Sequence, residues 1–327
     1  MSRRTIVLVV LGVLVAVVGN VLSASLLFGA RNRGDWSGGA PAPAPSTTRP
    51  SGEPSGEPSG EPADQEFRYV ALGDSYTAAP GIPEGDGPAS CGRSTHNYPH
   101  LVASALRKVK LAALRKVELV DRSCNGADTT HLTASQYPAV KPQFDALTAE
   151  TDLVTISIGA NDFGLFVGLL VGCPKLRASD AAGAPCSEVK GEYSAGDLTA
   201  LIQQIGDRLQ TAIQEIEARS PDAKVLLVGY PMLAPAIGTC PDRLPLADGD
   251  FAYVNGLSRQ LNTAMQRAAT KAGATFLDVY AASRGHDICS DDPWVNDQYT
   301  DPGGALLYHP FVEEQAAVAR LVLAQLG

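Results

Sequence analysis

The amino-acid sequence predicts an α/β protein, a three-layer α/β/α sandwich around a five-stranded parallel sheet. Two observations predict it. Short apolar runs alternate with segments of helical period, the pattern that gives parallel strands joined by crossover helices. The runs are also continuous and β-branched rather than alternating, as expected of strands covered on both faces.

Taken in order, the chain of 327 residues opens with Arg3 and Arg4, followed by an almost uncharged stretch from Thr5 to Ala30. That length lies between a signal-peptide core and a membrane span, so residues 1–30 read either as a signal peptide or as an N-terminal membrane anchor. Small residues near Ser23 offer a cleavage site, without a clean Ala-x-Ala. Arg3 and Arg4 favour a cytoplasmic N-terminus, with the bulk of the chain outside the membrane. Residues 31–65 are Pro-, Gly-, Ser- and Glu-rich and include three tandem Ser-Gly-Glu-Pro units. Such a segment has little apolar surface to bury and reads as a disordered linker. Residues 66–327 then form one catalytic domain.

Within that domain the strand candidates are 67–72, 117–121, 153–158, 224–229 and 275–279. Leu198, Leu201, Ile202, Ile205, Leu209, Ile213 and Ile216 recur at helical spacing, as do Val254, Leu257, Leu261, Met265 and Ala268 ahead of Gly273. These stripes predict two core-facing helices, the second ended by its glycine. A last helix is expected over 313–326. Leu106-Arg-Lys-Val-Lys-Leu111 is echoed by Leu114-Arg-Lys-Val-Glu-Leu119. This small duplication predicts an extended helix or loop before the second strand, a basic membrane-facing helix being the alternative.

All six cysteines, Cys91, Cys124, Cys173, Cys186, Cys240 and Cys289, lie beyond the linker. An even count behind an export signal points to disulfides, with the pairing left open by the sequence. There is no Cys-x-x-Cys pair, phosphate-binding loop or clustered ligand set, so no metal and no cofactor is expected. The net charge of -9, without a basic patch, argues against nucleic acid as a partner.

Four short blocks carry the chemistry. Gly73-Asp74-Ser75 follows the first strand, at the sheet edge where open α/β folds bind ligands, so Ser75 sits where a nucleophile meets substrate. Ser123-Cys124-Asn125-Gly126-Ala127 follows the second strand and Gly159-Ala160-Asn161-Asp162 the third. A glycine amide and an asparagine side chain can both donate to an oxyanion. Tyr308-His309-Pro310 precedes the last helix, and histidine is the usual acceptor of a serine proton near neutral pH. His96, His100, His131 and His286 lack a matching partner block. Singly, each block also reads as a turn or cap; together they single out one site.

In this order the blocks resemble those of the SGNH (GDSL-like) hydrolases over nearly the whole domain. Tyr98-Pro99, the Ser123–Ala127 block and the cysteines are similar to the secreted actinobacterial lipase and esterase branch. The resemblance implies the SGNH fold with its flavodoxin-like sheet. It also implies disulfides taken in sequence: Cys91 with Cys124, Cys173 with Cys186, and Cys240 with Cys289. By position, Ser75 becomes the nucleophile and His309 its general base, with the Ser75 and Gly126 amides and the Asn161 side chain forming the oxyanion hole. Asp74 and Asp162 shape turns. Most family members carry an acid three residues before the histidine, where this chain has Leu306. A Ser-His dyad is therefore implied, its imidazole oriented by a backbone carbonyl at Leu306, with Asp301 or Asp292 as the alternative.

The expected activity is hydrolysis of carboxylic esters, favouring lipid esters, by an exported, monomeric enzyme. If it is not cleaved, the N-terminal segment engages the membrane. A polysaccharide O-deacetylase and a non-catalytic binding module of the same fold are the alternatives. Phe163, Leu165, Phe166, Leu169 and Leu170 line an acyl groove or form the buried face of a helix. Ala281-Ala-Ser283-Arg-Gly285 departs from the Gly-x-Ser-x-Gly elbow, which makes Ser283 a control rather than a rival nucleophile.

Overall fold

The computed structural model describes residues 66–108, 116–189, 194–301 and 304–327. The N-terminal apolar segment and the linker lie outside the described residues, as does the middle of the duplication. Among the described residues, no helix is long and apolar enough to cross a membrane.

Five strands are present: β1 (Glu66–Gly73), β2 (Lys116–Asp121), β3 (Leu153–Ser157), β4 (Lys224–Val228) and β5 (Thr275–Leu277). All neighbouring pairs are parallel, in the order β2-β1-β3-β4-β5. This is the doubly wound order in which loops after the strands converge on one edge. The order reverses at β1 and β3, whose loops carry Ser75 and Asn161.

Successive residues of a strand face opposite sides, and the core divides accordingly. Val70, Leu72, Val154, Ile156, Val225 and Leu227 pack in one cluster with Ile205, Leu209 and Ile213 of α3 (Ala195–Arg219) and with Leu257, Leu261 and Met265 of α4 (Asp250–Ala272). Tyr69, Ala71, Leu153, Leu226 and Val228 pack in a second cluster on the other face. Their partners there are Val102 and Leu106 of α2 (Tyr98–Lys108) and Val318 and Val322 of α6 (Val312–Ala324). Two further short helices, α1 (Ser75–Ala78) and α5 (Val279–Ala282), follow β1 and β5. Gly273 ends α4 in the left-handed conformation (φ 81°), as its position predicts.

Three disulfides, Cys91–Cys124, Cys173–Cys186 and Cys240–Cys289, tie loops on this scaffold. The described parts of the duplicated hexapeptides differ. Leu106 to Lys108 end α2, whereas Lys116 to Leu119 lie in β2. Pairing with β1 decides the second copy, an instance of tertiary context overriding local propensity.

Glu314, in the first turn of α6, is buried and accepts a hydrogen bond from Gln315 Nε2 at 2.6 Å. Burial pushes its carboxyl up from 4.5 to about 8, and that of Asp74 from 3.8 to about 7. In both, the fold favours the neutral acid. The folded state therefore binds the proton more tightly than the unfolded state, and stability falls as pH rises from the unfolded value through the folded one. Glu314→Gln should flatten this decline between about pH 4.5 and about pH 8, measured as Tm against pH; an unchanged slope would assign it to other groups.

Candidate active site

The chain leaves β1 through a tight turn at Gly73. A side chain there would place its Cβ 2.2 Å from Thr77 Oγ1 and 2.6 Å from the Ser157 carbonyl. Glycine is thus required for β1 to bend against β3. The turn is held on both sides by Gln143, whose Oε1 accepts the Gly73 N–H at 2.8 Å and whose Nε2 donates to the Gly73 carbonyl at 2.9 Å. Asp74 follows, its N–H on the Ser157 carbonyl at 2.9 Å. Its carboxyl caps α1 by accepting the Tyr76 N–H at 2.9 Å and takes a second hydrogen bond from the Tyr230 hydroxyl at 2.6 Å. Ser75 is the first residue of that helix and is largely buried.

The loop after β2 is tied to this turn, because Cys124 N–H donates to the Gly73 carbonyl at 3.1 Å and the Cys91–Cys124 disulfide fixes its other side. Gly126 adopts the left-handed conformation (φ 74°) and is exposed. Asn161, after β3, donates from Nδ2 to the Ala127 carbonyl at 2.9 Å, which joins the second and third loops. The buried Asp162 accepts from Thr129 N at 2.9 Å, Thr129 Oγ1 at 2.5 Å and Arg208 Nη1 at 2.6 Å. Arg208 also lies over the Phe163 ring, 4.3 Å from its centroid. Asp74 and Asp162 thus shape the turns.

His309 reaches the same edge from the loop before α6. Its ring stacks on Tyr76 at 5.9 Å, with an interplanar angle of 30°. The Tyr76 hydroxyl donates to the Tyr308 carbonyl at 2.8 Å. Leu306 N–H donates to Pro80 O at 3.1 Å, just beyond α1, and Gln315 Nε2 of α6 donates to Tyr76 O at 2.9 Å, so the histidine loop and the helix after it are both tied to the Ser75 loop. The structure therefore brings Ser75, Gly126, Asn161 and His309 to one edge of the sheet. Among the described residues, the N–H groups of Ser75 and Gly126 have no protein acceptor.

The carbonyl that meets the imidazole is not that of Leu306. His309 Nδ1 lies 2.7 Å from Leu307 O. Leu306 O instead accepts the backbone N–H of His309 at 3.1 Å. The reason is the turn itself: the His309 N–H closes it on Leu306 O, and Tyr308, its third residue, takes φ 59°, which turns the central peptide so that the Leu307 carbonyl meets the ring. Neither alternative acid takes this place. Asp292 Oδ2 lies 3.2 Å from His286 Nδ1, and among the described residues no hydrogen bond or ion pair links Asp301 to His309. Burial lowers the His309 pKa from 6.5, opposed by the Leu307 carbonyl, which favours the neutral ring.

Three non-glycine residues have left-handed backbone among the described residues: Ala79, Phe163 and Tyr308. Each lies within four positions of Ser75, Asn161 or His309. Such residues cost about 1–3 kcal/mol and cluster where the surroundings over-determine them. Phe166, Leu165 and Leu169 line a small apolar cavity of about 30 Å³ that also touches Tyr76, Ala160 and Tyr230. Leu165, Leu169 and Leu170 are buried in the core, the second of the two roles expected for this stretch. Ser283 is buried, its Oγ accepting the Met232 N–H at 2.8 Å and donating to the Tyr280 carbonyl at 3.2 Å. It is structural. Tyr230, Arg208 and Gln143 are the supporting residues that the sequence reading missed; Tyr230 follows β4 just as Ser75 and Asn161 follow their strands, which was the available signal.

The fold and the grouping of these side chains are those of a hydrolase built on a parallel sheet, and comparison with known proteins narrows the class. Residues 71–313 match the model of the GDSL-like lipase/acylhydrolase family. The chain is 39% identical to Lipase 2 of Streptomyces coelicolor over 226 residues, which is 68% of this chain and 72% of that one. It is 30% identical to a lipase of Streptomyces rimosus over 249 residues, covering 76% and 82%. Among solved structures, it resembles the extracellular lipase of S. rimosus (TM-score 0.62, 28% identity, 79% of this chain and 99% of that one). It also resembles phospholipase A1 of Streptomyces albidoflavus NA297 (TM-score 0.61, 27% identity, 79% and 98%). The chain belongs to the GDSL-like lipase/acylhydrolase family and is a carboxylic ester hydrolase.

Arg208→Ala removes both the Asp162 ion pair and the cover over Phe163. Breaking a fully buried pair costs about 3–5 kcal/mol. With Arg208 41% exposed, a loss of about 1–2 kcal/mol is expected, read as a lower urea midpoint at unchanged m-value. An unshifted midpoint would show that the Thr129 donors alone satisfy Asp162.

Proposed function

We propose that this chain is an extracytoplasmic serine esterase acting on lipid esters, with Ser75 as nucleophile and His309 as its base. The observation that carries the reading is the coupling of the two across the chain: Tyr76, next to Ser75, stacks on the His309 ring and bonds the Tyr308 carbonyl. In this mechanism the Leu307 carbonyl accepts the Nδ1 proton of His309, which leaves Nε2 as the unprotonated nitrogen. Ser75 Oγ attacks the ester carbon as Nε2 takes its proton. The oxyanion receives hydrogen bonds from the Ser75 and Gly126 N–H groups and from the second amide hydrogen of Asn161, the first being held by Ala127. His309 returns the proton to the departing alcohol, and water then releases the acyl group by the same route. A carbonyl brings no full negative charge to the imidazolium that forms, so the dyad relies on the oxyanion donors more than a triad with a carboxylate does.

Support for lipid esters comes from the relatives named lipase. Support for an extracytoplasmic place comes from the three disulfides and the leader-like N-terminus. Residues 66–327 form the catalytic domain in this reading, behind the leader or anchor and the linker. No cofactor takes part in any step.

Hydrolysis of nitrophenyl esters tests the assignments. Ser75→Ala should abolish turnover while Ser283→Ala retains it; full activity in a folded Ser75→Ala protein would end the proposal. Asn161→Ala should lower kcat by about 10²–10³-fold. The acid limb of kcat/KM should fall below the 6.5 of an ordinary histidine, since burial lowers the His309 pKa. A limb near 7 would point to Asp74 instead.

A further inference from the structure

One buried group that the reaction scheme leaves unused is the hydroxyl of Tyr230, which bonds two of the loops at the site. β4 ends at Val228, and Gly229 then passes hard against α4: a Cβ there would lie 2.5 Å from Asn262 Oδ1. That same oxygen accepts the Tyr230 N–H at 2.9 Å, while Asn262 Nδ2 donates to the Ser258 carbonyl at 3.0 Å within its helix. The backbone of Tyr230 is thereby pinned to a long, well-packed element. Its ring is buried and meets Tyr76 edge-on at 5.4 Å and 84°.

At the far end of the ring, one oxygen serves two loops. It donates to Asp74 Oδ2 at 2.6 Å and accepts the Ala160 N–H at 3.2 Å. Asp74 immediately precedes Ser75 and caps its helix through the other carboxyl oxygen; Ala160 immediately precedes Asn161. We infer that Tyr230 is a positioning residue of the ester site, whose hydroxyl fixes the Ser75 loop relative to the Asn161 loop. The inference rests on the reading that Ser75 and Asn161 act together.

The chemistry of the link is well matched. A phenol can donate and accept at once, which neither an amide nitrogen nor a carboxylate can do. Asp74 is fully buried, with a pKa raised chiefly by that burial and lowered in turn by the Tyr230 hydrogen bond. Without the hydroxyl, the Ala160 N–H and one Asp74 oxygen would be left in the interior without this partner. Phenylalanine fills the same space, so Tyr230→Phe removes the link and keeps the packing.

The test is steady-state hydrolysis of a short-chain nitrophenyl ester by wild type, Tyr230→Phe, Asn161→Ala and the double variant. Functional sites are counted by the pre-steady-state burst, so partial misfolding does not enter the rate. Tyr230→Phe should lower kcat about 10- to 100-fold with KM changed less than about 2-fold, the split expected of a group that acts on the transition state alone. In the Asn161→Ala background the same change should cost less than about 3-fold, because the donor being positioned is already gone. Wild-type kcat in Tyr230→Phe would overturn the inference, as would equal losses in both backgrounds, which would mark a general structural effect. Either result with an inactive Ser75→Ala protein would leave the nucleophile assignment standing; an active Ser75→Ala protein would remove that assignment itself.

Discussion

The arrangement at the site depends on how the chain leaves β1. At Gly73 the backbone turns against the Ser157 carbonyl in a space that no side chain can share. Every later element is referred to that turn. Gln143 holds its two backbone groups, Cys124 hangs the second loop from its carbonyl, and Asp74 starts the helix that carries Ser75. Its close approach to β3 also brings the third loop within reach of the first, since parallel neighbours deliver their following loops to the same edge.

Two buried aspartates convert this convergence into a defined geometry. Asp74 gathers donors from Tyr76 and Tyr230; Asp162 gathers them from Thr129 and Arg208. A buried carboxyl group is costly unless its hydrogen bonds are complete, so each demands that particular loops stay in place. The left-handed backbone at Ala79, Phe163 and Tyr308 is tolerated for the same reason. Tyr308 illustrates it: its N–H donates to Asp297 O at 3.0 Å and its carbonyl accepts from Tyr76, so the strained residue is clamped on both sides.

The fold was legible because parallel strands buried on both faces leave a strong trace, and all five candidates became strands, with the fifth ending early where Val279 begins α5. Helices 195–219 and 250–272 were legible from their apolar stripes. Helix α2 was not singled out, since Tyr98-Pro99 stood out as a motif and the duplicated hexapeptides obscured the segment behind it. At the site, the residues that follow strands were readable one by one, because chemistry restricts which side chains can serve there. Supporting contacts were not. Tyr230 meets Asp74 across 156 positions, and no local pattern encodes such a distance. The substitution of Leu307 for Leu306 at the imidazole has the same origin: sequence counts residues, whereas carbonyl direction is set by the sign of φ at Tyr308.

That last point bears on how the proposed Ser75–His309 dyad works without an acid beside the imidazole. A carbonyl two residues before the histidine comes with the turn and needs no side chain, but it holds the ring only as firmly as the turn is held. Here the turn is bonded to α1 through Tyr76, to Pro80 just beyond it through Leu306, and to the Asn296–Asp297 segment through Tyr308 and His309, while Gln315 ties the following helix α6 to α1. On the proposed mechanism, rigidity of the backbone does the orienting that a carboxylate would do by charge. The difference is electrostatic: among the described residues no carboxylate pairs with the half-buried ring, and desolvation disfavours the imidazolium. On the proposed mechanism this keeps His309 neutral and ready to accept a proton, and it shifts the work of stabilising charge to the opposite side of the substrate, where the amides of Ser75 and Gly126 and the side chain of Asn161 are gathered.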